Sequence, residues 1–199
     1  MKGHISILLL LITGLLLLTG CVPEFENPLS APKVMKADPA LLGTWKIDSD
    51  EAGEITQVSF FGRESGWMDI VFVDGPSRYD GVEVSIFEAY TANVNKDTFI
   101  CLRPRKQDDQ EQTNGELKYL LAHYHLSKEG ILSVNLFDQG AVERIIEEGL
   151  LKGEYKNVNG KKDLVKVVSS SDEIASAIVE KGVESFISKE DTVKFRKLK

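Results

Sequence analysis

The sequence predicts a mainly β chain of the α+β class: an antiparallel β-barrel-like or half-barrel domain with two helices inserted before the last strand. Three observations predict it. Apolar residues alternate with polar ones at a period of two from Leu41 to Phe137. After Asp138 the apolar spacing becomes helical. From Asp191 to Leu198 the period of two returns, with Val193 and Phe195 set between charged residues. Short strands at regular spacing, separated by turn residues, are the pattern of antiparallel barrels and sandwiches. A chain of 199 residues is long enough for one domain with a sizeable core.

The elements follow in order. Residues 1–20 read as a secretory signal peptide. Lys2 supplies the positive start, and the apolar run from Ile5 to Leu18 is broken only by Ser6, Thr13 and Gly14. A spanning helix needs about 20 apolar residues, so the stretch is marginal as a permanent anchor helix. Leu18-Thr19-Gly20-Cys21 resembles the lipobox of bacterial lipoproteins. The resemblance implies cleavage before Cys21 and a diacylglycerol (palmitate-type) thioether on that cysteine, often with a third chain on its amino group. Two or more chains make a stable lipid anchor, at about 0.8 kcal/mol per buried CH2. The implied location is the bacterial cell envelope. Val22 in place of Asp after the cysteine implies the periplasmic side of the outer membrane in an organism with two membranes.

Residues 21–40 read as a tether. Four of the six prolines fall there: Pro23, Pro28, Pro32 and Pro39. Proline removes donors and fixes φ, which disfavours helix and central strand. Extended at roughly 3.1 Å per residue, such a segment reaches about 60 Å and holds a domain clear of a membrane. Phe25 suits a membrane interface, but a single aromatic does not decide it.

Residues 41–199 form the single globular domain. Leu42 to Ile47 reads as its first strand. Thr56, Val58 and Phe60 share a face of the second, and Met68, Ile70 and Phe72 a face of the third, with a turn at Asp74-Gly75-Pro76. Val82, Val84 and Ile86 alternate with Glu83 and Ser85. Thr98–Leu102, Leu117–Leu126 and Leu132–Leu136 follow, with a polar loop over Lys106–Gly115. Asp138 is positioned to cap a helix whose apolar face carries Val142, Ile145 and Ile146, ended by Gly149 or Gly153. Leu164–Val168 suggests a further strand, with Asn159-Gly160 ahead of it as a turn. Ser170 and Glu173 have capping-box spacing before the stripe Ile174, Ala177, Ile178 and Phe186.

Leu42-Gly43-Thr44-Trp45 resembles the Gly-x-Trp motif of lipocalins and related calycin-like barrels. In those families the Trp closes one end of the barrel, and an Arg from the last strand packs across its ring. Carried over residue by residue, the resemblance implies a barrel-end pair of Trp45 and Arg196. The chain as a whole resembles small bacterial lipoproteins of unknown function, which implies a fold and no activity.

The formal net charge is −7. Residues 1–20 contain Lys2 and no acid, so cleavage moves the balance to −8. An acidic surface disfavours binding to nucleic acid through charge. With Cys21 committed to lipid, Cys101 has no disulfide partner in the chain, and its setting, Phe99-Ile100-Cys101-Leu102, suits a buried small hydrophobe. Trp67 suits the core or a binding surface. His123 and His125 lie two apart on a strand and share a face. They are candidates for a pocket or for half of a metal site, with Glu88 or Asp69 the third ligand if register allows; the competing expectation is that they meet solvent. No serine-nucleophile or phosphate-loop motif occurs. The expected function is a lipid-anchored, non-enzymatic binding or interaction module without a cofactor, with an apolar ligand or envelope protein as partner. The competing expectation is a metal-dependent or other envelope enzyme working through His123 and His125.

Overall fold

The computed structural model describes residues 22–29, 37–47, 57–74, 82–105, 118–158 and 161–198. Residues 1–20, Cys21, the Asp74-Gly75-Pro76 turn beyond Asp74 and the Lys106–Gly115 loop fall outside the described residues.

Eight strands close into an antiparallel barrel: β1 (Gly43–Ile47), β2 (Gln57–Gly62), β3 (Met68–Asp74), β4 (Glu83–Val94), β5 (Asp97–Pro104), β6 (Leu120–Leu126), β7 (Ile131–Leu136) and β10 (Val193–Lys197). Each pairs with its neighbour in sequence, and β10 closes the ring between β7 and β1. Closure removes the unpaired sheet edges that a half-barrel would leave.

Between β7 and β10 the chain forms α1 (Gln139–Glu147), the hairpin β8 (Gly153–Val158) and β9 (Lys161–Val167), α2 (Ser171–Lys181) and one 3-10 turn (Val183–Ser185). The two helices before the last strand are those the sequence predicts. The Asp138 side chain accepts from the Ala141 N–H at 2.7 Å, and Gly149, at φ 80°, takes the left-handed conformation that ends α1. Ser170 and Glu173 form the reciprocal capping box of α2. Ser170→Ala should therefore cost about 1 kcal/mol in urea unfolding; no change would mean that α2 is held by packing alone.

Two cores result. Inside the barrel lie Trp45, Val58, Phe60, Met68, Ile70 and Leu132 among others. The second core lies between the insertion and the outer wall of β4 to β7. It contains Phe99, Cys101 and Leu121 from the wall and Val142, Ile145, Ile174 and Phe186 from the insertion. β5 is thus buried on both faces, which is why Phe99-Ile100-Cys101-Leu102 is continuously apolar.

Two features are decided by the tertiary structure. Val82, Val84 and Ile86 mark the strand, but their face is the outer one. They are 60 %, 55 % and 42 % exposed, while Phe87 and Ala89 continue the inward face that begins at Ser85. The second concerns the tether. Phe25 and Leu29 are fully buried in the outer core, so residues 22–29 belong to the domain, and Phe25 is not an interfacial aromatic.

Candidate functional site

The barrel has unlike ends. At one end the chain passes from β2 to β3, β4 to β5 and β6 to β7, and Leu41 leads into β1. Gly43 enters β1 at φ 114°, with Lys197 Cε 3.0 Å from where a Cβ would stand. A side chain there would be strained by both conformation and space. This places Trp45 two residues later on the inward face, almost fully buried, with its Nε1–H donating to Leu41 O at 2.7 Å. Beside it the Tyr124 hydroxyl donates to Asp38 Oδ2 at 2.9 Å. Burial and that carboxylate hold the Tyr124 pKa above its ordinary value. Trp45 thus closes the barrel end.

The cation on its ring is Lys197, not Arg196. Lys197 Nζ lies 5.2 Å from the ring centroid. Trp45 is the cross-strand partner of Lys197, whereas Arg196 pairs with Lys46. Side chains alternate faces along a strand, so a difference of one residue moves the cation to the other side of the wall.

At the opposite end the inward-facing Ile47, Phe72, Leu120, Val134, Leu136 and Val193 are only half-buried. Phe72 meets Phe87 edge to face at 5.7 Å. The interior is therefore filled around Trp45, and the far end carries a set of partly buried apolar side chains on its inward face. An eight-stranded barrel is just wide enough to fill with side chains or to admit one small ligand.

The N-terminal strap lies at this open end. Phe25 exchanges two backbone hydrogen bonds with Tyr119, the residue ahead of β6, both at 2.8 Å. On its other side Glu24 O accepts from Val167 N–H at 2.7 Å, and Glu26 N–H donates to Val167 O at 2.9 Å. Glu24 pairs with Lys118 and Glu26 with Lys166. Farther on, Leu29 O accepts from the Tyr90 hydroxyl at 3.1 Å. The strap therefore joins the barrel wall to the inserted hairpin.

His123 and His125 share the outer face of β6 but not an environment. His123 is partly buried, 5.6 Å from the Phe99 ring, with Nε2 3.7 Å from Asp97. His125 is exposed. Among the described residues no group of three His, Cys, Asp or Glu side chains is placed to hold a metal. Burial lowers the His123 pKa below its ordinary 6.5, against the opposing pull of Asp97 and Glu184. The unfolded imidazole accordingly takes up a proton that the folded one resists. The stabilisation is complete above the unfolded value and is lost as pH falls through it toward the folded one. His123→Gln should flatten the decline of unfolding free energy between about pH 7.5 and 5. A slope equal to that of the parent would assign the decline to other groups.

A charged cluster on the outer wall was not visible in the sequence. Asp69 and Glu88 are cross-strand partners, a repulsive arrangement if left bare. Arg63 Nε donates to Asp69 at 2.9 Å and its Nη1 to Glu88 at 2.9 Å, while Arg103 Nη2 meets Glu88 at 3.0 Å. Burial raises the Glu88 pKa, but the bonds from Arg63 and Arg103 outweigh it and hold the carboxyl below its ordinary range. Arg103 also lies 4.5 Å over the ring of Trp67, which packs on Tyr90. Trp67 is thus neither core nor free surface. With its acids neutralised by guanidinium groups, the cluster is a clamp across β2 to β5 and holds no free general base. Only register assembles it, and nothing in the local pattern announces register. Cys101 is fully buried, and burial pushes its pKa up to about 12, as suits an unreactive small hydrophobe.

Protein-family models, curated proteins and solved structures contain no match to this chain.

Proposed function

We propose that the chain is a lipid-anchored protein of a bacterial envelope whose barrel takes a small apolar ligand at its open end, without catalysis. The observation that carries the ligand reading is the gradient inside the barrel. Around the buried Trp45 the interior is packed, and the far end carries an inward-facing apolar ring that includes Phe72, Leu120 and Leu136 and is only partly buried. Apolar surface held half-open inside a barrel is what an apolar ligand would cover. The anchor reading is supported by the apolar segment and by Leu18-Thr19-Gly20-Cys21.

The ligand reading is tested by titrating the domain that starts at Val22 with a fluorescent fatty acid. Saturable binding is expected, weakened about tenfold or more by Leu136→Glu, a loss of roughly 1.4 kcal/mol. Absence of saturable binding to the parent domain would remove the ligand reading.

A further inference from the structure

We infer that the exposed apolar outer face of β3 and β4 rests on the lipid surface into which Cys21 is anchored. The inference rests on the anchor proposed above. On that face Val71 stands opposite Ile86 and Val73 opposite Val84, with Val82 just ahead of β4. Phe61 on β2 extends the face and is 54 % exposed. Neighbouring in register, these residues give the outer face of β3 and β4 an apolar surface that no described residue of the insertion covers. Its neighbouring acids, Asp69 and Glu88, are already paired with Arg63 and Arg103. The face can therefore approach lipid without stranding a bare carboxylate from this cluster in the interface.

The position of the strap selects lipid as the occupant. Phe25 is locked to Tyr119 and Val167, and Cys21 precedes it by four residues. Four residues span at most about 14 Å, so the anchor permits no long stand-off. Tyr119 marks the open end of the barrel, and Val73, Val82 and Val84 lie at that same end. Along the wall, β4, β5, β6 and the strap are neighbours at about 4.8 Å spacing, which puts the apolar face roughly 14 Å from the strap. A domain held this closely by its open end must lay part of that end on the membrane. The apolar face is the part whose burial is favourable, since interfacial binding grows with the apolar area buried. The opening of the barrel then faces the lipid from which an apolar ligand would come.

The test uses the full chain, processed in a lipoprotein-exporting bacterium and reconstituted into vesicles of phosphatidylethanolamine and phosphatidylglycerol. Val84→Cys and Lys128→Cys each receive a fluorophore; Lys128 is exposed in the β6–β7 turn at the closed end, and native Cys101 is buried. The Val84 label should be quenched by brominated lipid and shielded from aqueous iodide, and the Lys128 label should behave oppositely. Adding Ile86→Asp, an exposed substitution, should release the Val84 label to iodide with the circular dichroism unchanged. Equal iodide quenching at both positions overturns the inference. So does shielding of Val84 without quenching by brominated lipid, which would mean contact with a second copy. The mass of the N-terminal peptide separates the two readings. A lipidated Cys21 with a wet Val84 removes the docking inference alone; an unmodified Cys21 removes the anchor and the docking together.

Discussion

Replacing Phe25 with Ala should destabilise the domain by about 3–5 kcal/mol, measured as the shift of its urea unfolding curve. The ring is fully buried at the junction of barrel and insertion and meets Phe137 edge to face at 5.8 Å. Alanine leaves a cavity that three separate pieces of chain would have to collapse to fill. Starting the chain at Ser30 should cost more, because the hydrogen bonds to Tyr119 and Val167 go with the ring. Hydrogen exchange should show where the loss falls: amides of α1, α2 and the β8–β9 hairpin should open before those of β2 and β3. A chain starting at Ser30 with undiminished stability would mean that residues 22–29 merely lie on the surface.

The second large effect is expected at Trp45. Trp45→Ala should cost about 3–5 kcal/mol by emptying the sealed end of the barrel. Trp45→Phe keeps most of the volume and should cost less, chiefly through the unmet Leu41 carbonyl, at about 1–3 kcal/mol. Lys197→Ala should shift the emission of Trp45 and Arg196→Ala should not, because Lys197 is the cross-strand partner of Trp45 and Arg196 faces the other side of the wall. Trp67 contributes emission of its own, so the comparison is made in a Trp67→Phe background. The reverse pattern would restore the pairing of Trp45 with Arg196 and contradict the register of β1 and β10.

These two residues mark what could be read from the chain directly. Gly43-Thr44-Trp45 resembles a barrel-end motif, and Trp45 is buried inside the barrel where β1 begins. The cation beside it was displaced by one residue, since resemblance carries a residue type forward but not a register. Phe25 reads locally as part of a tether because four prolines surround it or lie nearby. Proline composition describes what a segment cannot form internally, and it is blind to the backbone partners that Tyr119 and Val167 offer from far along the chain. The same limit hid β8. Gly153–Val158 shows no clear alternation and is a strand because β9 pairs with it. The histidine pair shows it once more: both side chains lie on one strand face, but His123 is partly buried and His125 is exposed.

What the chain encodes locally is therefore the strand alternation, the two capped helices and the single-face logic of the barrel interior. Those depend on spacing within a few residues, where the geometry of strand and helix is the same in any protein. The outer faces were settled elsewhere. A strand in a closed barrel has one face committed to the interior and a second whose surroundings depend on what folds over it. Over β5 and β6 that is the insertion and the strap, so Phe99, Cys101 and Leu121 are core. Over β3 and β4 nothing among the described residues covers Val84 and Ile86. The outer face is thus a buried wall in one sector and an exposed one in the other, because burial is decided by partners distant in sequence and residue spacing reports only the period.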